Sequence, residues 1–299
     1  MFIVVVHNMF IGGRNMVAKK STEKYVVGNF KGGVGKSTTV QMLSFESAFG
    51  RNLKTLVVDL DMQGNTSDVL NLTHMNYSEE EGGGEMLTFD KTINDVLMYD
   101  LPVEDAVYPI IKNLDVLPAN IAFEMFDGWV KKQFPDSTDQ FQFIEERLSP
   151  LFDKYDRIYF DVPPSISVYT KAAMYMADWV IVILQTQVKS MRNGLQYMEY
   201  MEYFVDEFST NLKVVGVIPF MLEAADAVDK EMYAQAQEIY GEHLLNTVVL
   251  KNARLKRYDG SGITLEKTKT GKIEYWDRRT HQIFKDVYDE LEIHKTWFE

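Results

Sequence analysis

The stretch "GNFKGGVGKST", Gly28 to Thr38, sets Lys31 and Lys36 around Gly32, Gly33 and Gly35 and ends in a hydroxyl pair. Its close, Gly35-Lys36-Ser37, fits the phosphate-loop pattern G-x-x-x-x-G-K-[ST], yet the position six before Lys36 is Phe30 instead of glycine. The chemistry on offer is binding of a polyphosphate. Glycines let backbone N–H groups approach phosphate oxygens with no Cβ in the way, and a helix N-terminus adds partial positive charge. Lys36 would hold the β- and γ-phosphates, and the Ser37 hydroxyl would ligate Mg²⁺. The nucleotide-binding set read here is Lys31, Gly32, Gly33, Val34, Gly35, Lys36, Ser37 and Thr38. A plain glycine-rich turn is the competing reading, and a strand before the loop with a helix after it argues against that.

Carboxylates complete the chemistry. "LVVDLDMQGNTS" puts Asp59 and Asp61 at the end of an apolar run, and "RIYFDVPPS" does the same for Asp161. Ligands of open α/β sheets bind at such strand ends. A lone aspartate there is usually a turn former or helix cap. A phosphate loop upstream calls for a magnesium site, and Asp161 takes the position of the aspartate that holds it, directly or through water.

The elements that must position these groups follow from the runs "KYVVGN", "KTLVVDLD", "LDVLP", "RIYFDVP", "DWVIVIL", "KVVGVIP" and "NTVVL", which alternate with longer amphipathic stretches. That is the βαβ rhythm of a parallel sheet, and the lack of strict polar alternation expects helices on both faces. Ser37 to Phe49 reads as the first helix, with Val40, Leu43 and Ala48 on its apolar side. Met191 to Phe208 and Asp229 to Tyr240 read as later ones, and Asn71 to Asp90, containing "SEEEGGGE", as a mobile polar loop. The expected fold is a single α/β domain, a mostly parallel twisted sheet flanked by helices.

At 299 residues with 46% apolar composition the chain can bury a full core. It has no cysteine, which excludes disulfides, thiolate metal sites and iron–sulfur clusters. A net charge of −13 confines any nucleic-acid binding to a local basic patch. The start, "MFIVVVHNMFIGGRNMVAKKS", has a short interrupted apolar run, no preceding base and no A-x-A site, so it does not read as a signal peptide. Residues 1–20 are expected to be a flexible or dispensable extension and 21–299 the functional domain. No stretch approaches the roughly 20 apolar residues of a membrane span.

Together, "KGGVGKST", "DLDMQGNTS" and "YDRIYFDVPPS" resemble the deviant Walker A family of ParA/MinD ATPases, and "VVGVIPFM" followed by "LNTVVLKNARL" resembles the later part of ParA partition proteins. The similarity runs from about Lys24 to about Glu292. It implies a P-loop NTPase fold with ATP and Mg²⁺ as cofactors. It also implies that Lys31 reaches across an ATP-sandwich homodimer to the other subunit's phosphates, where a cation is worth most in a dry interface. Asp61 matches the catalytic aspartate that orients the attacking water, with Lys31 and Lys36 the catalytic cations. Asp59 matches the residue supporting the magnesium shell, beside Ser37 and Asp161. Met62 stands where the family usually has proline, and Asp259-Gly260 interrupts its "EAPS"-like segment.

From Lys251 to Lys285 ten bases face four acids, a net +6 that leaves −19 on the rest of the chain. Such a run is commonly a solvated face. Beside these motifs it reads as a nonspecific DNA site of Lys251, Arg254, Lys256, Arg257, Lys267, Lys269 and Lys272, the last three on a possible hairpin. The resemblance implies a partition ATPase, cytoplasmic and nucleoid-associated, that is stimulated by a ParB-like centromere-binding partner. About twenty residues precede the first strand, too few for a helix-turn-helix module. The alternative is a MinD-like membrane-associated positioning ATPase, which needs a basic amphipathic tail; this chain ends in the acidic "FKDVYDELEIHKTWFE". A tyrosine-kinase relative would carry a tyrosine cluster at its end, and the last ten residues have none.

Overall fold

Along β1 (Glu23–Gly28), Tyr25 and Val27 enter one hydrophobic cluster and Val26 enters another, all three buried. A strand with two apolar faces must be covered on both, and the structure, a computed structural model, shows how. It describes residues 22–29, 31–78, 84–185, 188–222, 227–266, 268 and 270–298. The expected extension over 1–20, Phe30 and the glycines of "SEEEGGGE" up to Gly83 lie outside them.

The strands after β1 are β2 (Thr55–Asp59), β3 (Tyr108–Ile111), β4 (Leu114–Leu117), β5 (Arg157–Asp161), β6 (Trp179–Gln185), β7 (Lys213–Leu222) and β8 (Val249–Leu250). They form one eight-stranded sheet in the order β3-β4-β2-β5-β1-β6-β7-β8. Every pairing is parallel except β3 with β4. Strand β3 was not evident in the sequence. Pro109 cannot donate to a ladder, which suits it to the sheet edge where it lies. Asn113 takes a left-handed φ of 67° in the tight turn that reverses the chain.

Helix α1 (Lys36–Phe45) packs on the Tyr25/Val27 face through Val40 and Leu43. Helix α2 (Asn65–Ser78) follows β2 and joins the Tyr25/Val27 cluster through Leu70. The Val26 face is covered by α3 (Ile93–Tyr99), α4 (Glu124–Gln133), α5 (Ser137–Leu148), α6 (Val168–Met176), α7 (Val188–Phe208) and α8 (Ala227–Tyr240). Helices α9 (Ala253–Ser261) and α10 (Tyr275–Lys295) return to the α1 face through Leu255, Tyr258, Phe284 and Val287.

Two sequence expectations change. The first helix is α-helical only to Phe45 and then makes a π-turn over Glu46–Gly50. There the Glu46 carboxylate is buried against His281 Nδ1 of α10, so a tertiary contact shapes the end of the helix. The expected loop from Asn71 is helical as far as Ser78. Thr73 Oγ1 donates to Val69 O (2.8 Å), while the Asn71 amide both donates to Leu87 O (2.8 Å) and accepts from Leu87 N (2.8 Å). Those partners let a polar sequence stay helical against β3 and α9, where its local propensity alone favours a loop.

Candidate functional site

The phosphate loop hangs between the ends of β1 and β6. Asn29 Nδ2 donates to Ile183 O (2.6 Å), and Asn29 Oδ1 accepts from Lys31 N (2.9 Å), which turns the chain out of the strand. Gly33 and Gly35 hold left-handed φ values of 69° and 103°. A Cβ at Gly35 would stand 2.2 Å from the ring of Phe220, so glycine is required there twice over. Val34 is fully buried in the core, so it serves the loop through its backbone alone. Gly35 caps α1 with no side-chain hydrogen bond, which leaves the helix N-terminus open toward the loop.

Lys36 is 6% exposed and donates to Lys31 O (3.2 Å) across the loop. Burial lowers its pKa, while Asp161 and Asp61 push it back up. Lys31 Nζ donates to Gln185 Oε1 (3.1 Å), and Gln185 Nε2 donates to Gly33 O (3.1 Å). Gln185, at the end of β6, thus fixes both the second lysine and the loop. Sequence reading passed over it, because a glutamine closing an apolar run carries no signal of its own.

The carboxylates meet through sheet register. Asp59 and Asp161 are Cα partners across the β2–β5 pairing. Asp161 accepts from Ser37 Oγ (3.2 Å) and Thr66 Oγ1 (2.6 Å), and Thr66 Oγ1 in turn accepts from Gln41 Nε2 (3.0 Å). Asp59 accepts from Asp61 N (3.0 Å), Ser67 N (2.9 Å) and Ser67 Oγ (2.7 Å). Burial pushes the Asp161 carboxyl up to about 6 against the pull of those hydroxyls. Burial, reinforced by the charge of Asp161, pushes Asp59 up to about 8. Two carboxyls held above their ordinary range beside one buried ammonium would ionise together only if further positive charge arrived, which a divalent cation would supply.

These groups surround a cavity of about 660 Å³ lined by loop residues Gly32, Gly33, Gly35, Lys36, Ser37 and Thr38. Asp61, Gln63 and Asp68 form one wall, Val162 and Pro164 another. Asp61 makes a turn of its own, accepting from Gln63 N (3.0 Å) at Oδ1 and from Gly64 N (2.9 Å) at its backbone oxygen. Asp161 stands one hydrogen bond behind the wall, through Ser37. Asp59 does not line the cavity at all. Its carboxylate organises the loop that carries Asp61, so any support it gives a metal is indirect. Asp259, in α9, reaches the cavity from a region read as a departure from the family pattern. Among the described residues no three His, Asp or Glu side chains gather as a metal cage. A magnesium ion held by Ser37, Asp161 and nucleotide phosphates would need none.

The family model described as an AAA domain, of ParA/MinD type, matches residues 22–214. This chain belongs to the ParA/MinD family. It is 26% identical over 237 residues to the chromosome partitioning protein ParA of Myxococcus xanthus, covering 79% of this chain and 78% of that protein. McdA of Cyanothece, solved as an ATP complex, has a similar fold, with a TM-score of 0.70 at 18% identity over 91% of this chain and 97% of that one. Cobyrinic acid a,c-diamide synthase of Mycobacterium smegmatis, solved with an ATP analog and magnesium, gives 0.69 at 21% identity over 91% and 95%. The α/β sheet with its P-loop is thus a P-loop NTPase-type fold of the ParA/MinD kind.

The structure splits the basic segment of this ParA/MinD chain. Lys251, Lys256, Arg257 and Lys272 are exposed, while Arg254 is 8% exposed and serves as an internal strut. Its Nη2 lies 2.6 Å from Glu274, and its Nε 3.1 Å from the fully buried Asp277. Arg254 thereby ties α9 to the first turn of α10, and it leaves the expected DNA-contact set. Arg257 is surface-exposed and paired with Glu266 (2.7 Å). Thr268 N donates to Lys272 O (2.7 Å) and Glu274 N to Glu266 O (2.7 Å), closing a hairpin-like turn. Lys267 and Lys269 lie outside the described residues. Among the described residues no helix is long and apolar enough to cross a membrane.

Proposed function

We propose that this chain is an ATP-dependent DNA partition ATPase. The observation that carries this reading is one cavity whose surroundings contain Lys36, Ser37, Asp61 and, through Ser37, Asp161, with a second lysine held beside the same loop by Gln185. Open backbone N–H groups at the α1 N-terminus and the Lys36 ammonium bind the phosphates. Ser37 and Asp161 would hold Mg²⁺, whose chemistry is to neutralise charge on the phosphate oxygens. Asp61, on a turned loop at the cavity wall, orients a water for attack in line with the scissile bond. Lys36 stays in place as charge builds on the leaving oxygens.

Lys31 has a different task. In its hold on Gln185 the ammonium meets an uncharged amide oxygen, which a partner's anionic phosphate would outcompete. ATP thereby joins two copies face to face. The homodimer places the basic surfaces of both subunits on one DNA molecule, and binding appears only with ATP because the second patch acts at high effective concentration. Hydrolysis, stimulated by a ParB-like centromere-binding adaptor, releases the DNA and lets the plasmid or chromosome move. The protein then works in the cytoplasm on the nucleoid.

Co-sedimentation with nonspecific DNA and with anionic liposomes, with and without Mg·ATP, tests this. DNA is expected to pellet the ATP form and liposomes are not. Lys31→Ala should still bind ATP but remain monomeric in sedimentation velocity and stay off DNA. Liposome binding by the ATP form would replace this reading with the MinD-like one, and a normal ATP dimer of Lys31→Ala would remove the cross-subunit role.

A further inference from the structure

A second cavity, of about 490 Å³, opens between the start of α9 and the first turns of α10, away from the phosphate loop. Its charged lining residues are Lys251, Arg254, Arg257 and Arg279, and none of the described lining residues is acidic, in a chain of net charge −13. Leu250 and Ile283 supply apolar wall, and Trp276, 51% exposed, stands at the opening. The Arg279 guanidinium lies 6.0 Å from the centre of the Trp276 indole. One residue earlier the arrangement repeats, with Arg278 at 5.9 Å from the ring of Tyr275. Arg254 is nine-tenths buried, and its Nη1 makes no hydrogen bond, with Glu266 Oε2 at 3.6 Å.

Phosphate contacts to a duplex need surface cations and no cavity. Here the cations ring a concave, partly apolar space of the size that takes small ligands, with an indole at its edge. Apolar wall plus aromatic face suits a planar heterocycle, and the cationic rim suits an anion attached to it. Arg279 and the Tyr275 ring, the latter edge-to-face at 5.0 Å, flank the indole, and about half of the Trp276 surface stays exposed for stacking.

We infer that this cavity is a nucleotide-unit site, in which a base stacks on Trp276 while its phosphate is held by Lys251, Arg257 and Arg279. The unit comes either from a single strand of nucleic acid or from a free nucleotide. The site is separate from the ATP cavity, whose lining residues it does not share. It does not depend on the proposed partition cycle.

The test measures binding of short fluorescein-labelled oligo(dT), of a duplex of equal length and of dTMP to the full chain in Mg·ATP. The wild type should bind oligo(dT) more tightly than the duplex. Trp276→Leu should weaken oligo(dT) by about five- to a hundredfold, the range for loss of one stacked base, and leave the duplex within about twofold. Trp276→Phe keeps a ring and should recover most of the affinity. Arg279→Gln should weaken oligo(dT) as well. A parallel loss for dTMP assigns the site to free nucleotides too, whereas oligo(dT) loss with no dTMP binding assigns it to strands.

Equal binding of oligo(dT) by wild type and Trp276→Leu overturns the inference. So does a Trp276→Phe variant as weak as Trp276→Leu, or an equal loss for duplex. Thermal unfolding and ATP affinity of each variant, both expected to be unchanged, report folding independently. Failure of the wild type to bind duplex would count against the partition reading and leave this site standing.

Discussion

Replacing Asp161 with asparagine should stabilise the nucleotide-free protein and abolish its response to Mg·ATP. The Asp161 carboxyl is pushed from its ordinary 3.8 up to about 6, mainly by burial. At about 1.4 kcal/mol per pKa unit, ionising it in the folded chain costs at most ~3 kcal/mol. A carboxyl whose folded pKa is raised contributes no penalty below pH 3.8 and the full penalty above about 6, so stability falls as pH rises through that window. Asp59 extends the same slope toward its own value of about 8, and it should come down once the neighbouring charge is gone.

The amide keeps the shape and can accept from Thr66, but it forgoes charge-assisted bonds from two hydroxyls. A net gain of roughly 1–3 kcal/mol at pH 8 remains, a rise of several degrees in Tm for a domain of this size. Thermal unfolding in EDTA should therefore show variant and wild type melting together near pH 4 and the variant melting higher at pH 8. Added Mg·ATP should raise the wild-type Tm and move the variant little, because the charge that attracts the ion is gone. A variant that melts below wild type at pH 8, or gains as much from Mg·ATP, would refute the argument that Asp161 is a destabilised charge kept for a cation.

Lys36→Gln should lower ATP affinity well beyond threefold, since a charge-assisted contact is worth about 1.5–3 kcal/mol; titration calorimetry showing a smaller loss would contradict the loop assignment. Asp61→Ala should retain Mg·ATP binding and the ATP dimer while turnover stops, and near-normal phosphate release would reassign Asp61 to its turn. Arg254→Ala should cost about 3–5 kcal/mol by leaving Asp277 buried and uncompensated. Arg257→Ala, at the surface, should leave the unfolding free energy within about 1 kcal/mol of wild type and flatten the salt dependence of DNA binding by roughly one unit per lost contact. Equal destabilisation by the two, seen in denaturant melts, would mean that Arg254 is no strut.

Local chemistry made the phosphate loop readable. Gly33 and Gly35 need left-handed backbone, Lys36 and Ser37 must sit at a helix start, and all of this is written within a few consecutive residues. The parallel sheet was legible for a similar reason: strands covered on both faces show as continuous apolar runs. Side-chain partners distant in sequence left no such trace. The pairing of Asp59 with Asp161 depends on β2 lying beside β5, which no local pattern encodes. Gln185 meets Lys31 only because β6 ends next to the loop, and Asp259 meets the cavity only because α9 folds back onto the α1 face. Arg254 is the clearest case. In sequence it is one of ten bases in a run, and its type and spacing match those of Arg257. Packing of α9 against α10 places three carboxylates around Arg254 and leaves Arg257 at the surface, so the same residue type becomes a buried strut in one place and a surface cation in the other. Composition fixes how many charges a chain carries, and only the tertiary fold, by deciding which of them lose water and gain partners, decides what each can do.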